Sequence, residues 1–480
     1  MELLTIIIVF VVATIISSLV KSRSVIEGLA VIATGFSLLL ASHMAYTVSV
    51  SGPYASWSFF QIDALSAIVL LIIGSISFAV TVYSVAYLRQ ETKKGIVGFT
   101  RVKQYFMLSN LFTAAMFLAI SANSPIFAWI SIEATTLSTA FLISFYNKPS
   151  AMEAAWKYLI INSVGLLLGF LGTLLYFTAL STDSETGFVS WQLLLDNSGQ
   201  LDPLLAKIAF VFVLIGYGTK VGLAPMHTWL PDAHSKAPAP TSALLSGVLL
   251  TVAFVIILKF KIITDASVGA DFSQQLLIVF GLLSIIISAF IIFNQKNYKR
   301  LLAYSSIENM GILALGFGFG GVGIFAAVLH LLYNSFTKSA MFLAIGTIFL
   351  KYSSTKIAHI RGAITALPIT SVVLFAGLLS ISGIPPFGTF LTKILILTSG
   401  MKAYPIFSML IILPLTILFI GFFRHVVKMI FGNKPSLVKI GEDDWRLFVP
   451  PALLIGVVLY LSISIPPFLE RLIASAVLMF

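Results

Sequence analysis

Cysteine is absent from the chain, and charge is scarce: 10% of its 480 residues are Asp, Glu, Lys or Arg. Without cysteine there is no disulfide, no thiolate metal site and no cysteine-held iron–sulfur cluster within the chain. Soluble domains carry roughly 25% charged residues, so this chain lacks the polar surface to stay in water at such a length. Soluble enzymes, nucleic-acid binders and secreted disulfide scaffolds are excluded together. Phosphate-binding glycine loops, dinucleotide fingerprints, the H-E-x-x-H pair and catalytic-triad contexts are missing too. No ten-residue alternation marks a transmembrane barrel. The longest polar stretch, residues 181–202, is too short to bury a core of its own.

What is there is apolar, with 59% hydrophobic residues and a mean hydropathy of +1.04. A crossing helix needs ~20 such residues, and breaks at Lys, Arg, Pro and Asn clusters leave about fourteen runs. They begin near Glu2, Val25, Asp63, Gln104, Pro125, Glu153, Leu204, Thr241, Gln275, Lys299, Gly321, Ala366, Tyr404 and Trp445. The pattern predicts an all-α integral membrane protein of about 14 transmembrane helices, each satisfying its own backbone. The opening run from Leu3 to Val20 lacks a basic leader and a small-residue cleavage site, so it is expected to be a retained helix.

Basic residues orient the bundle. Lys21, Arg23, Arg89, Lys93, Lys94, Arg101, Lys103, Lys148 and Lys236 follow odd-numbered runs. So do Lys296, Lys299, Arg300, Lys351, Lys356, Arg361, Arg424, Lys428, Lys434, Lys439 and Arg446. Roughly 20 thus gather on one side against about four (Lys259, Lys261, Lys402, Arg471) on the other. Asp183, Glu185, Asp196 and Asp202 lie on the basic-poor side. The positive-inside rule then puts both termini and the 181–202 loop outside the cell membrane.

Within the runs lie Lys157, Lys207, Lys220, Lys338 and Lys393. A charge near the bilayer centre costs a few kcal/mol or more, so each needs a reason. Glu133 lies deep in its run, where it could hold a proton, pair with a buried lysine or merely bond its own helix. Lys220 precedes Pro225, Pro231, Pro238 and Pro240. Proline breaks a helix and frees carbonyls, so water can gather there, although a lysine at a helix end can also snorkel. His227 and His234 follow that break, and either could shuttle protons or serve as a hydrogen-bonded structural group. His330, Asn334 and Lys338 are spaced four and four, within ~80° on one helix face. That places an imidazole, an amide and an ammonium along one helix, suited to a hydrated proton path rather than a metal site. His330 alone could equally be a packed core residue. Lys393 follows Pro385-Pro386 by two turns. Two proline-broken helices, each with a buried lysine, point to a transporter built of inverted repeats. Lys157 can pair with Glu153 four residues back, or snorkel, as readily as carry ions.

The stretch Gly216–Pro238 (GYGTKVGLAPMHTWLPDAHSKAP) resembles the signature of the antiporter-like subunits of complex I, multisubunit cation/proton antiporters and membrane-bound hydrogenases. Lys299–Gly311 (KRLLAYSSIENMG) resembles that family's next landmark. Trp129–Ser138 and Glu153–Tyr158 look most like hydrogenase-4 component F. The resemblance implies fourteen helices. Helices 1–3 would occupy residues 1–103, a first antiporter repeat 104–262, an inverted second repeat 263–432, and a last helix 433–480. It implies that Glu133 pairs with Lys220 and that His330, Lys338 and Lys393 continue a central polar axis, with Lys157 and His227 as further candidates. Three positions depart from the pattern: Thr251 stands where relatives often have lysine, so it and water would have to bridge. Asn334 replaces a second histidine, and Lys393 stands where hydrogenase-4 relatives tend to have glutamate. The chain is also expected to lack the lateral helix of the family's distal subunit, ending at Phe480. The function implied is proton translocation beside a redox arm of hydrogenase or NADH:quinone oxidoreductase type, with further antiporter-like chains as partners. A Na⁺/H⁺ antiporter subunit without redox partner and a quinone-binding subunit are the alternatives. No cofactor is expected in this chain.

Overall fold

The computed structural model describes residues 2–56, 59–180 and 189–480. Asp183 and Glu185 lie outside the described residues, so that part of the expected outer loop is not placed. The first six helices are α1 (Glu2–Leu19), α2 (Arg23–Ser51), α3 (Ala64–Lys93), α4 (Phe99–Ser121), α5 (Pro125–Ile143) and α6 (Pro149–Ala179). A small antiparallel hairpin, Tyr54–Ser56 with Phe60–Ile62, joins α2 to α3. Then come α7 (Pro203–Val221), the short α8 (Trp229–Lys236), α9 (Ala239–Val268), α10 (Ala270–Phe293), α11 (Tyr298–Phe319) and α12 (Val322–Tyr352). The chain closes with α13 (Pro368–Ser382), α14 (Gly388–Ala403), α15 (Pro405–Ile430), α16 (Trp445–Ile463) and α17 (Pro467–Val477).

Eleven described helices are long and apolar enough to cross a membrane. Three more crossings, α11, α12 and the broken pair α13–α14, complete the fourteen runs, each starting within five residues of its expected place. Of these, α11 and α12 are made less apolar by Glu308, His330, Asn334 and Lys338, while the break leaves α13 and α14 at 15 and 16 residues. The protein is a multi-pass, all-helical membrane protein.

Local chemistry sets the helix ends. Asp63 accepts a hydrogen bond from Ser66 N at 2.7 Å to cap α3, and Asp202 caps α7 through Leu205 N at 2.8 Å. Proline opens α5, α6, α7, α13 and α15, where its missing N–H costs nothing. The two breaks are made alike. α7 ends at Gly222 and α13 at Gly383, both left-handed, with φ of +78° and +71°. A side chain at Gly222 would run into Leu230, and one at Gly383 would stand 3.0 Å from the Lys393 stem. Only glycine turns the chain there without strain.

Small residues bring helices together where hydrophobicity offers no drive. Gly216 of α7 lies so close to Gly169 of α6 that a Cβ would strike the Gly169 backbone. At the centre stands α12, buried along nearly its whole length and packed against α3, α9, α11, α13, α14 and α16. The outward faces of α6 and α15 present Trp156, Ile160, Leu167, Ile406, Leu410 and Leu413, as lipid-facing helices do.

Two groups of basic residues lie deeper than the loop count implies. Lys259 and Lys261, counted to the basic-poor loops, sit inside α9. They pair with Asp63 (3.0 Å) and with Asp265 respectively, and that pairing tolerates their burial. Lys299, counted to the opposite loops, is buried in α11 and donates to Ala237 O at 2.9 Å. Glu27 of α2 is likewise buried between Arg23 (2.7 Å) and Arg89.

Candidate functional site: a buried line of ionisable groups

In the first half the site rests on three helices. Glu133 projects from the middle of α5 and accepts from Ser163 Oγ of α6 at 2.9 Å and from Thr136 Oγ1, one turn on, at 3.1 Å. Lys220, in the last turn of α7, is wholly buried and donates to Thr136 Oγ1 at 2.8 Å and Tyr158 OH at 2.7 Å. Glu133 and Lys220, which the resemblance pairs, are joined through Thr136. The reason is reach: the Thr136 hydroxyl lies between the two groups and can accept from the ammonium while donating to the carboxylate. The Lys220 ammonium also lies 4.8 Å from the Tyr158 ring centre.

In the second half the acid and the lysine do touch. Lys393 Nζ of α14 pairs with Glu308 Oε1 of α11 at 3.1 Å and donates to Ile381 O at 2.7 Å, a carbonyl freed by the α13 break. Glu308 was missed from sequence. The signal was present, since it is a carboxylate in the middle of an apolar run, as Glu133 is. A cavity of about 80 Å³ lined by Glu308, Ser382, Lys393 and Phe419 adjoins the pair. A water needs about 30 Å³, so the cavity has room for two or so.

From this pair a hydrogen-bonded line runs inward to Lys338. Asn309 Nδ2 lies 3.5 Å from Glu308 Oε2 and donates to Ser305 O at 2.8 Å; the Ser305 hydroxyl accepts from Lys338 Nζ. His330 Nε2 meets Asn309 Oδ1 at 3.1 Å, and His330 Nδ1 meets Thr392 Oγ1 at 2.8 Å. Because Asn309 Oδ1 can only accept, Nε2 carries a proton. Thr392 serves either charge state of the ring. It can donate to a neutral Nδ1, or accept from a protonated one while donating to Thr389 O at 3.1 Å. The imidazole can therefore gain and lose a proton without orphaning a partner. Asn334, midway between His330 and Lys338, has both amide atoms buried with no protein partner among the described residues. A buried, unpaired amide marks a place for water.

Comparison with known proteins reads the same features. A family model described as "NADH:quinone oxidoreductase/Mrp antiporter, TM" matches residues 122–419, and one for the N-terminus of complex I chain 5 matches residues 49–96. The first match covers more than half of the chain and spans both lysine sites. The chain belongs to this antiporter family. It is 37% identical over 379 residues to a hydrogenase-4 component F homologue of Methylacidiphilum infernorum, covering 78% of this chain and 80% of that one. It is 29% identical to hydrogenase-4 component B of Escherichia coli, covering 69% of this chain but only 49% of that longer relative. Its fold matches a chain of the membrane-bound sulfane sulfur reductase, an archaeal respiratory membrane complex, with a TM-score of 0.87 at 22% identity. That match covers 99% of this chain and 97% of the other. A chain of the Mrp complex from Dietzia also gives 0.87, at 20% identity over 99% and 96%. The protein is thus an antiporter-like membrane subunit of complex I and membrane-bound hydrogenase type. The solved neighbours are chains of multisubunit membrane complexes.

The remaining candidates fall on and off the line of this antiporter-like subunit. Thr251 faces inward, sharing a 3.0 Å hydrogen bond with Ser335 of α12, beside Asn334. It follows a π-helical turn, Leu245–Leu249, within which Ser246 bonds Ser306 of α11 at 2.7 Å. π-turns often mark functional positions in helices, and this one gives α9 a polar seam toward the second half. His227 sits at the α7 break with Nδ1 buried and unpartnered among the described residues, 6.3 Å from the Tyr304 ring. Lys157 is off the line: it is exposed and pairs with Glu153 at 2.6 Å and Asp232 at 3.5 Å. Lys207 is exposed at the other end of the bundle, 5.6 Å from the Phe272 ring centre.

A second feature was beyond sequence reading. His234 of α8 stacks on Phe342 at 4.8 Å, and both its ring nitrogens are buried without a partner among the described residues. Lys299 lies 5.4 Å from the Phe349 ring centre. Lys338, Phe342 and Phe349 share one face of α12, so the three titratable groups are stepped along it at roughly 6 and 10 Å intervals. Glu91, wholly buried at the same end, accepts from Tyr146 OH at 2.6 Å.

Proposed function

We propose that the chain translocates protons as one membrane module of a redox-driven complex of hydrogenase or NADH:quinone oxidoreductase type, in a cell membrane. The observation that carries this reading is the line of polar groups Lys338–Ser305–Asn309–Glu308–Lys393, in which Asn309 Nδ2 stands 3.5 Å from both Ser305 Oγ and Glu308 Oε2, with His330 attached. Each half places a carboxylate on an intact helix and a lysine beside a broken one, Glu133 with Lys220 and Glu308 with Lys393. That correspondence supports the division into repeats over 104–262 and 263–432.

The chemistry follows from the partners. With Glu133 ionised, the Thr136 bridge holds the Lys220 proton by its field; a small displacement of Glu133 weakens that hold. One pKa unit is ~1.4 kcal/mol, and charges a few ångströms apart at low dielectric interact by more than that. Lys220 then gives its proton toward α9 and α12, where Thr251, Ser335 and Asn334 with water lead to Lys338. Lys338 passes a proton to Ser305 and on, by way of water beside the Asn309 amide, to Glu308. His330, held next to this path by Asn309, exchanges a proton at Nδ1 through Thr392, and Lys393 releases the proton at the cavity beside α15. In this reading electron transfer belongs to a partner; the lack of cysteine excludes a cysteine-held iron–sulfur cluster in this chain.

A Na⁺/H⁺ antiporter is the second reading, favoured by the likeness to the Mrp complex chain. Against Na⁺ in this lane stand the buried ammonium groups of Lys220, Lys338 and Lys393, which repel a cation but carry protons. Affinity purification of the chain from its host membrane is the test. Co-purifying subunits with iron–sulfur centres, and vesicle acidification driven by reductant, are expected. A complex without redox subunits that exchanges Na⁺ for H⁺ would replace this reading by the second.

We further propose that the termini and the Asp196 region face outward. Single cysteines in place of Asp196 and of Lys94, probed with an impermeant maleimide on intact cells, should label from opposite sides. Labelling of both from one side contradicts the orientation.

A further inference from the structure

At the Lys/Arg-rich end of the bundle, several basic side chains near α4 have partners within the protein. Arg23 and Arg89 hold Glu27, Lys94 donates to Leu350 O, and Lys103 donates to Ser18 O and, at 3.3 Å, Val20 O. Arg101, in the first turn of α4, has no side-chain partner among the described residues and is only partly buried. It stands at the mouth of a groove of about 400 Å³ between α4 and α5, lined by Gln104, Leu108, Leu111, Phe141 and Phe145. Gln104 is exposed beside it, and Leu111 and Phe141 are exposed along the groove's length.

The groove's dimensions name its occupant. From Arg101 to Leu111 is ten helical residues, about 15 Å at 1.5 Å each. That is half of the ~30 Å hydrocarbon thickness, the depth of one leaflet. The groove is about one leaflet deep and open along its length, a shape that an acyl chain fits. Its polar end offers a guanidinium fork, which matches phosphate oxygens two at a time, and an amide that can donate beside it. The remaining walls are Leu, Met and Phe with the ring of Tyr105. Basic groups at this end of a membrane protein are where anionic lipid headgroups gather.

We propose that this groove binds one anionic phospholipid, its phosphate on Arg101 and Gln104 and one acyl chain along Leu108, Leu111 and Phe141. The lipid gives a counter-charge to an interfacial guanidinium that has no side-chain partner among the described residues, and it packs against α5, the helix that carries Glu133.

The test uses the purified complex exchanged into nanodiscs of phosphatidylglycerol and phosphatidylcholine at one to three, followed by mild delipidation and native mass spectrometry. The wild type should retain one phosphatidylglycerol more per chain than Arg101→Gln. Leu111→Trp, which keeps the charge and fills the slot, should lose the same lipid. Lys148→Gln removes an exposed charge at the same end outside the groove and should leave the count unchanged. Equal phosphatidylglycerol retention in wild type, Arg101→Gln and Leu111→Trp would overturn the proposal. So would efficient cross-linking of a cysteine at Phe141 to another subunit, since the occupant would then be protein.

Discussion

Lys393→Ala is expected to stop proton flux while leaving electron transfer in the parent complex partly active. In the proposed path the ammonium is the last proton carrier, and its two partners, Glu308 Oε1 and Ile381 O, hold it beside the cavity against α15. Alanine removes the carrier and leaves Glu308 buried without its counter-charge. Breaking such a pair costs roughly 3–5 kcal/mol, so some loss of assembled complex is expected with it. The double variant Glu308→Gln/Lys393→Met removes both charges at similar volume and should restore assembly without restoring flux. Reductant-driven proton uptake in reconstituted vesicles, with subunit content read from native gels, separates the two effects. Wild-type proton uptake in either variant would remove Lys393 from the path.

Glu133→Gln is expected to reduce pumping by tenfold or more, about 1.4 kcal/mol of coupling at least, in a complex of normal subunit content. Glutamine keeps the size and one of the two accepted hydrogen bonds, turning the other into a donated one, and removes the charge that acts on Lys220 through the Thr136 bridge. Glu133→Asp should keep part of the flux, because the charge survives with shorter reach. The bridge adds its own control: Thr136→Val breaks the relay without changing any charge and should fall between the two. Unchanged flux per turnover in Glu133→Gln would make the Glu133 cluster a structural one.

Much of this was legible in the sequence because membranes penalise charge so heavily. A lysine or glutamate in an apolar run stands out, and Glu133, Lys220, Lys338 and Lys393 all lie buried or half-buried on helices of the line. The two breaks were legible through their prolines, and the left-handed Gly222 and Gly383 explain how the chain turns at them. Partner identity was not legible. Nothing in one dimension says that Thr136 rather than Glu133 meets Lys220, or that Glu308 meets Lys393, since each pairing joins different helices at a depth set by packing. Glu308 was hidden by its place in a polar motif, KRLLAYSSIENMG, where it read as part of a landmark rather than as a charge. For Lys157 the sequence left a Glu153 pair and ion transport both open; the structure shows the pair, and adds Asp232, which only the packing of α6 brings within reach. Lys259 and Lys261 looked like loop residues because sequence shows the charges but not Asp63 and Asp265 beside them.

The central claim is that protons move along the hydrogen-bonded line joining Lys338 to Lys393, and Asn309 is where that line can be cut without touching a charge. Its amide links Ser305, Glu308 and His330. Asn309→Leu keeps the volume and orphans His330 Nε2, a loss of about 1–3 kcal/mol that a complex of this size should survive. The decisive measurement is protons moved per electron pair in vesicles carrying the assembled Asn309→Leu complex, beside Asn309→Asp, which still accepts from His330. The line predicts a fall of tenfold or more in the leucine variant and partial retention in the aspartate variant. A leucine variant that pumps at the wild-type ratio would contradict it.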